Sequence, residues 1–184
     1  MGKPSKEAKI LEIFFDYPSK NWHFKEIKAI VKMADNKISR WLKIFMEKRL
    51  IKRIKEKGRM PYYAADYDFP NYRNAKRFFA LKLFYDSGFL NHLASLKDAK
   101  DIILFGSFAR ADWHKKSDID IFIYGNADDF ELAKFSKKLG RDIQLFSCKN
   151  KIELEKFNNL LIKNIASGDI IKGNLDFLEV KIHA

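Results

Sequence analysis

Cysteine is almost missing from this chain. Cys148 stands alone, so no disulfide can form within it, which suits a reducing compartment. Histidine is nearly as sparse, and His23, His92, His114 and His183 show none of the paired spacing of a zinc site. No apolar run approaches the roughly 20 residues that a membrane-spanning helix needs. The opening MGKPSKEAK lacks the apolar stretch of a secretory signal. Repeats and low-complexity tracts are lacking as well. A secreted disulfide scaffold and a membrane protein are therefore not expected, and the expected location is the cytoplasm.

Core material, by contrast, is plentiful. Hydrophobic residues make up 47% of the 184 positions, aromatics 15%, with 17 phenylalanines. That is enough to bury two compact units and too much for a disordered chain. The formal net charge is +12, and it is unevenly distributed. Residues 1–97 hold 22 Lys and Arg against 10 Asp and Glu, a surplus of 12, whereas residues 98–184 hold 14 of each. A surplus confined to one half suits a polyanionic partner such as nucleic acid. A solvated lysine-rich surface accounts for it equally well.

The first half reads as short helices followed by a hairpin. Ile10, Leu11, Ile13, Phe14 and Phe15 cluster within a helix over 5–17 that stops before Pro18, and a second helix is expected over 25–32. Asp35 is placed to cap a third, in which Ile38, Trp41, Leu42, Phe45 and Met46 form one apolar stripe. Asn36, Ser39, Arg40, Lys43 and Glu47 share its opposite face. Strands over 50–57 and 60–65 flank a turn at Gly58-Arg59. This order, carried by ISRWLKIFMEKRLIKRIKEKGRMPYYAAD, resembles a winged helix-turn-helix. The resemblance implies an exposed third-helix face in a major groove, with Lys55, Lys57 and Arg59 on the wing meeting phosphates. Packing of this module against a protein partner is the other reading. Next, a helix over 71–85 shows Phe78, Phe79, Leu81, Leu83, Phe84 and Tyr85 with little polar face, which predicts burial on several sides, between domains or in a homodimer.

The second half holds the chemistry. A buried strand ending at Phe105 runs into Gly106-Ser107, and SDIDIFIYG forms a second strand. Side chains alternate along a strand, so Asp118 and Asp120 project together while Ile119, Ile121 and Ile123 point into the core. Adjacent carboxylates repel, and a hard divalent cation with oxygen ligands relieves that repulsion. A helix over 128–139 follows, with Asp128 and Glu131 at capping-box spacing. A third strand over 141–146 then brings Asp142 within reach of the first pair if it joins the same sheet. Gly106 lets a phosphate approach the backbone, and Ser107 supplies a hydroxyl. Taken singly, these pieces are a turn, a solvated strand face and one more acid. Their order and spacing are what point to chemistry.

LFGSFARADWHKKSDIDIFI resembles the signature of the minimal nucleotidyltransferases of the polymerase β superfamily, and IASGDIIKG resembles their closing segment. One departure stands out: Ala111 occupies a position, after Arg110, where many members have glycine. The resemblances imply an α+β chain. It would comprise a winged helix-turn-helix domain over 1–68, linker helices over 69–97, and a nucleotidyltransferase domain over 98–184 with a small mixed sheet flanked by helices. They also imply a site in which Asp118, Asp120 and Asp142 hold magnesium, two ions in all, and carry catalysis, while Gly106, Ser107 and Arg110 bind the nucleotide. The implied substrate is ATP or another nucleoside triphosphate. The implied acceptor is a hydroxyl of a nucleic acid or of a protein, a HEPN-type partner in a toxin–antitoxin pair among them, and the implied partner of the winged helix is DNA. A non-catalytic DNA-binding regulator or antitoxin with a nucleotide-sensing domain is the alternative.

Overall fold

A computed structural model describes residues 6–178, so His183 lies outside the described residues. The residues fall into two compact units. The first runs to Phe78 and takes in Trp113–Lys115, and the second holds Phe79–Asp112 and the chain from Lys116 onward. The division runs through one helix.

In the first unit, α1 (Lys6–Asp16), α2 (Phe24–Val31) and α3 (Asp35–Glu47) precede a hairpin of β1 (Ile51–Ile54) and β2 (Tyr62–Ala65). The three helices bury the apolar faces that their periodicity predicts, among them Ile10, Phe14, Ile27, Val31, Ile38, Leu42 and Phe45. Trp22 and Tyr63 exchange backbone hydrogen bonds of 2.8 Å, which gives the hairpin a third edge. Asp35 is not the cap of α3. It is the first helical residue, and its carboxylate pairs with Lys28 at 2.7 Å, beside the helix N-terminus where negative charge is favourable.

α4 (Pro70–Asp86) corrects a second expectation. Its apolar residues are not all buried, since Phe78 is 73% exposed and Tyr85 67%, whereas the lysine at position 76 is 1% exposed. Burial follows position on the helix here, not residue type.

The second unit continues with α5 (Phe89–Ser95), β3 (Ala99–Phe105), α6 (Gly106–Arg110), β4 (Ile119–Gly125), α7 (Leu132–Leu139) and β5 (Ile143–Cys148). It ends with α8 (Lys151–Leu154), α9 (Asn159–Ala166), β6 (Asp169–Lys172) and a 3-10 turn over Asp176–Leu178. The strands form one mixed sheet in the order β5-β4-β3-β6, with β4 and β5 parallel and the other neighbours antiparallel. The parallel pair is joined by the crossover helix α7, as such pairs require. β4 is apolar toward both sides of the sheet: Ile119, Ile121 and Ile123 are buried on one, Phe122 on the other. α7 begins later than expected. Phe130 is buried, the Glu131 backbone N–H donates to His92 Nε2 at 3.1 Å, and Glu131 itself is the N-cap residue.

One sheet face packs Ile103, Phe105, Phe122, Cys148, Ile165 and Phe177 into a single cluster. Burial, and after it the nearby Glu153, pushes the Cys148 thiol up to about 11. A thiol so placed offers almost no thiolate at neutral pH. Alkylation with iodoacetamide at pH 7.5 is therefore expected to leave Cys148 unmodified in the folded protein and to label it fully in denaturant, read by intact mass.

Candidate active site

β3 delivers its last residue, Phe105, directly opposite Asp120 of β4. The chain then turns at Gly106, whose φ of +69° lies in the left-handed region open chiefly to glycine. A Cβ built on Gly106 would run into the carboxylate of Asp120. Glycine is thus required twice, by the backbone and by the acid lying over it. Ser107 follows in α6, half-buried, and its carbonyl accepts the Asp112 N–H at 3.0 Å, folding the segment back on itself. Ala111 closes α6 with φ +58°. A non-glycine residue there carries a cost of about 1 kcal/mol. That is a physical reason for glycine in related chains, and here the buried Ala111 methyl offsets it.

Asp118 and Asp120 lie on the same side of the incoming β4 chain, Asp118 exposed and Asp120 half-buried. Burial raises the Asp120 pKa above the ordinary carboxylate range, the Asp118 charge raises it further, and Arg110 pulls it down. Asp120 therefore senses one acid and one base, both expected at this site from the sequence. Arg110 itself is exposed and pairs with Asp112 at 2.9 Å.

Asp142, the third acid expected, stands just ahead of β5, level with Asp118 when the register is carried back one residue. β5 begins at Ile143, not Arg141, and its parallel register sets Gln144 beside Asp120. Asp142 falls one residue outside the strand, its carbonyl accepting the Ile119 N–H at 2.9 Å. Among the described residues no three His, Cys, Asp or Glu side chains converge to hold a metal. Asp118 and Asp120 are close enough for one charge to act on the other, and that pair of oxygen donors suits a shared hard cation. Two residues were missed in the sequence. Gln144 is one. Arg141 is the other: its guanidinium lies 5.2 Å from the Phe108 ring and donates to the Ser117 carbonyl at 3.4 Å, bracing the entry to Asp118. The alternation of residues 141–146 carried a signal for Gln144; nothing local marked Arg141.

The expected nucleic-acid residues lie elsewhere, in the first unit. Asn36, Ser39, Arg40 and Lys43 are exposed along α3, and Lys55, Lys57 and Arg59 are exposed on the hairpin. Lys43 stands 4.0 Å from Glu47, and Arg59 pairs with Glu56 at 2.7 Å.

The shift at Asp120 has a consequence for stability. A carboxylate whose pKa is raised on folding binds protons more tightly in the native state, so stability falls as pH climbs from the ordinary pKa through the raised one. Above that window the full penalty persists. Asp120→Asn is expected to raise the melting temperature at pH 7 by about 2 °C, and this gain is expected to vanish at pH values below the ordinary carboxylate range. Thermal unfolding of both proteins at the two pH values checks it, and an equal or lower melting temperature for the variant at pH 7 would refute it.

Among the described residues no helix is long and apolar enough to cross a membrane. No curated protein and no solved structure matches the chain. Residues 87–169, which span α5, the whole of β3 to β5 and the start of β6, match the family model described as a nucleotidyltransferase domain. This part of the chain, with its glycine turn and paired aspartates, is thus similar to a nucleotidyltransferase domain.

Proposed function

We propose that the protein is a magnesium-dependent nucleotidyltransferase that moves a nucleoside monophosphate, AMP from ATP foremost, onto a hydroxyl of a protein or nucleic acid. One observation carries the reading: the Asp120 carboxylate lies over Gly106 and within the field of Asp118 and Arg110. The glycine gives the triphosphate access to the backbone, Ser107 offers it a hydroxyl, and Arg110 offers it charge. Asp118 and Asp120 would hold magnesium, which when bound neutralises phosphate charge and polarises the reacting phosphorus. The acceptor oxygen bonds to the α-phosphorus, the bond from that phosphorus to the α–β bridging oxygen breaks, and pyrophosphate departs. The acceptor proton passes to solvent. The protein contributes position and fixed charge.

The first unit is read as a winged helix-turn-helix. The support is its element order, the Trp22–Tyr63 bridge beside the hairpin, and the exposed polar face of α3. Together with the positive surplus of the first 97 residues, this favours DNA as its partner. A HEPN-type protein would be met instead if the domain serves as an antitoxin, and a homodimer is compatible with either role.

A second reading, nucleotide sensing without transfer, draws on the neutral Gln144 standing beside Asp120. It is separable from the first by product alone. Incubation with each labelled nucleoside triphosphate, magnesium and cell lysate is expected to label a protein or nucleic acid. Asp118→Ala and Asp120→Ala are each expected to reduce that label by roughly 100-fold or more. Undiminished labelling in the double variant would sink the transferase reading. Saturable ATP binding with no labelled product would establish the sensing one.

DNA binding by the first unit is expected to weaken steeply with salt. Arg40→Ala and Lys43→Ala are each expected to lower the salt slope by about one where they meet phosphate. Affinity that is weak at every salt concentration would argue for a protein partner.

A further inference from the structure

The ten residues between Ser107 and Asp118 do not stay with the nucleotidyltransferase unit. The chain leaves that unit after Asp112, and Trp113–Lys115 belong to the compact body of the first unit before the chain returns at Lys116. Within the first unit this tripeptide is held by contacts of several kinds. Trp113 is 1% exposed and meets Phe15 edge to face at 6.1 Å. The Lys76 ammonium donates to the Trp113 carbonyl and lies 4.5 Å from the centre of its ring. The Lys115 N–H donates to the Asp16 carbonyl at 2.8 Å, and the Lys115 ammonium meets the Asp16 carboxylate at 3.1 Å. Asp16 is 5% exposed.

A buried lysine is a poor choice for stability alone. Desolvating an ammonium is costly, and replacing a buried charged group together with its partners by apolar residues is often neutral or stabilising. What lysine has and methionine lacks is a donor for one particular carbonyl, and the Trp113 backbone is fixed by it. Buried polar contacts of this kind select one arrangement out of several. The residues fixed lie between the two halves of the candidate site, Gly106, Ser107 and Arg110 before them and Asp118 and Asp120 after them.

We propose that Lys76 and Asp16 are positioning residues for nucleotidyl transfer. By clamping Trp113–Lys115 they hold the connection from Ser107 to Asp118 in the one path that presents both halves of the site together. The proposal rests on the transferase reading for its catalytic part, and on backbone order for a part that stands without it. A displacement of about 1 Å at a reacting centre costs around 100-fold in rate.

Lys76→Met and Asp16→Asn, made separately in the full chain, test it. Melting temperature, hydrogen exchange over 107–118, and kcat and KM for magnesium ATP would be measured for each. Lys76→Met is expected to melt a few degrees below the wild type, because it leaves the Trp113 carbonyl unpaired, to exchange at least 10-fold faster over 107–118 but not throughout the first unit, and to lose 10- to 100-fold in kcat. Its KM is expected to change far less. Asp16→Asn is expected to shift exchange and kcat in the same direction, less strongly. Unchanged exchange and kcat in both variants would overturn the proposal. So would a rate loss that tracks a fallen melting temperature with faster exchange throughout the first unit, since Lys76 would then be a pillar of the fold and nothing more. If Lys76→Met does not fold, Asp16→Asn decides. If wild-type protein transfers no label at all, the transferase reading fails, and exchange over 107–118 alone decides whether the clamp orders the connection.

Discussion

Six residue pairs tie β3 to β4, from Ala99 opposite Gly125 to Phe105 opposite Asp120, and the last of them stands at the mouth of the site. The ladder is held from both sides by apolar packing, with Ile102, Leu104, Ile121 and Ile123 turned one way and Ile103, Phe105 and Phe122 the other. A slip of one residue would exchange those two sets and carry Asp120 into the core. Apolar burial thus sets the register, and the register puts a carboxylate over a glycine. The polar chemistry at the sheet's end is positioned by side chains that take no part in it.

Much of this was legible in the sequence, for identifiable reasons. The alternation in SDIDIFIYG forces Asp118 and Asp120 onto one side wherever the strand lies. Gly106 followed by Ser107 after an apolar run marks a turn under steric demand, which its positive φ and the Asp120 carboxylate bear out. The helical stripe of α3 depends only on local periodicity and emerged intact.

What escaped was set by partners distant in sequence. Residues 141–146 do not say which side chain stands beside Asp120, and only the parallel pairing with β4 puts Gln144 there, with Asp142 level with Asp118. Lys76 lies in a helix whose composition advertises Phe78 and Tyr85 for the interior. The lysine is buried because Trp113, 37 residues away, brings a carbonyl and a ring to meet it. The start of α7 was missed similarly, because His92 accepts from the backbone just ahead of it. Each miss is a local pattern overruled by a long-range partner.

The crowding of Gly106 against Asp120 reaches beyond this one molecule. A side chain at position 106 and an acid at position 120 compete for the same space, so descent cannot easily alter the first while keeping the second. Among kindred chains a side chain at 106 is expected only where the acid at 120 has gone as well, and that double loss would betray a lineage that has abandoned nucleotide chemistry.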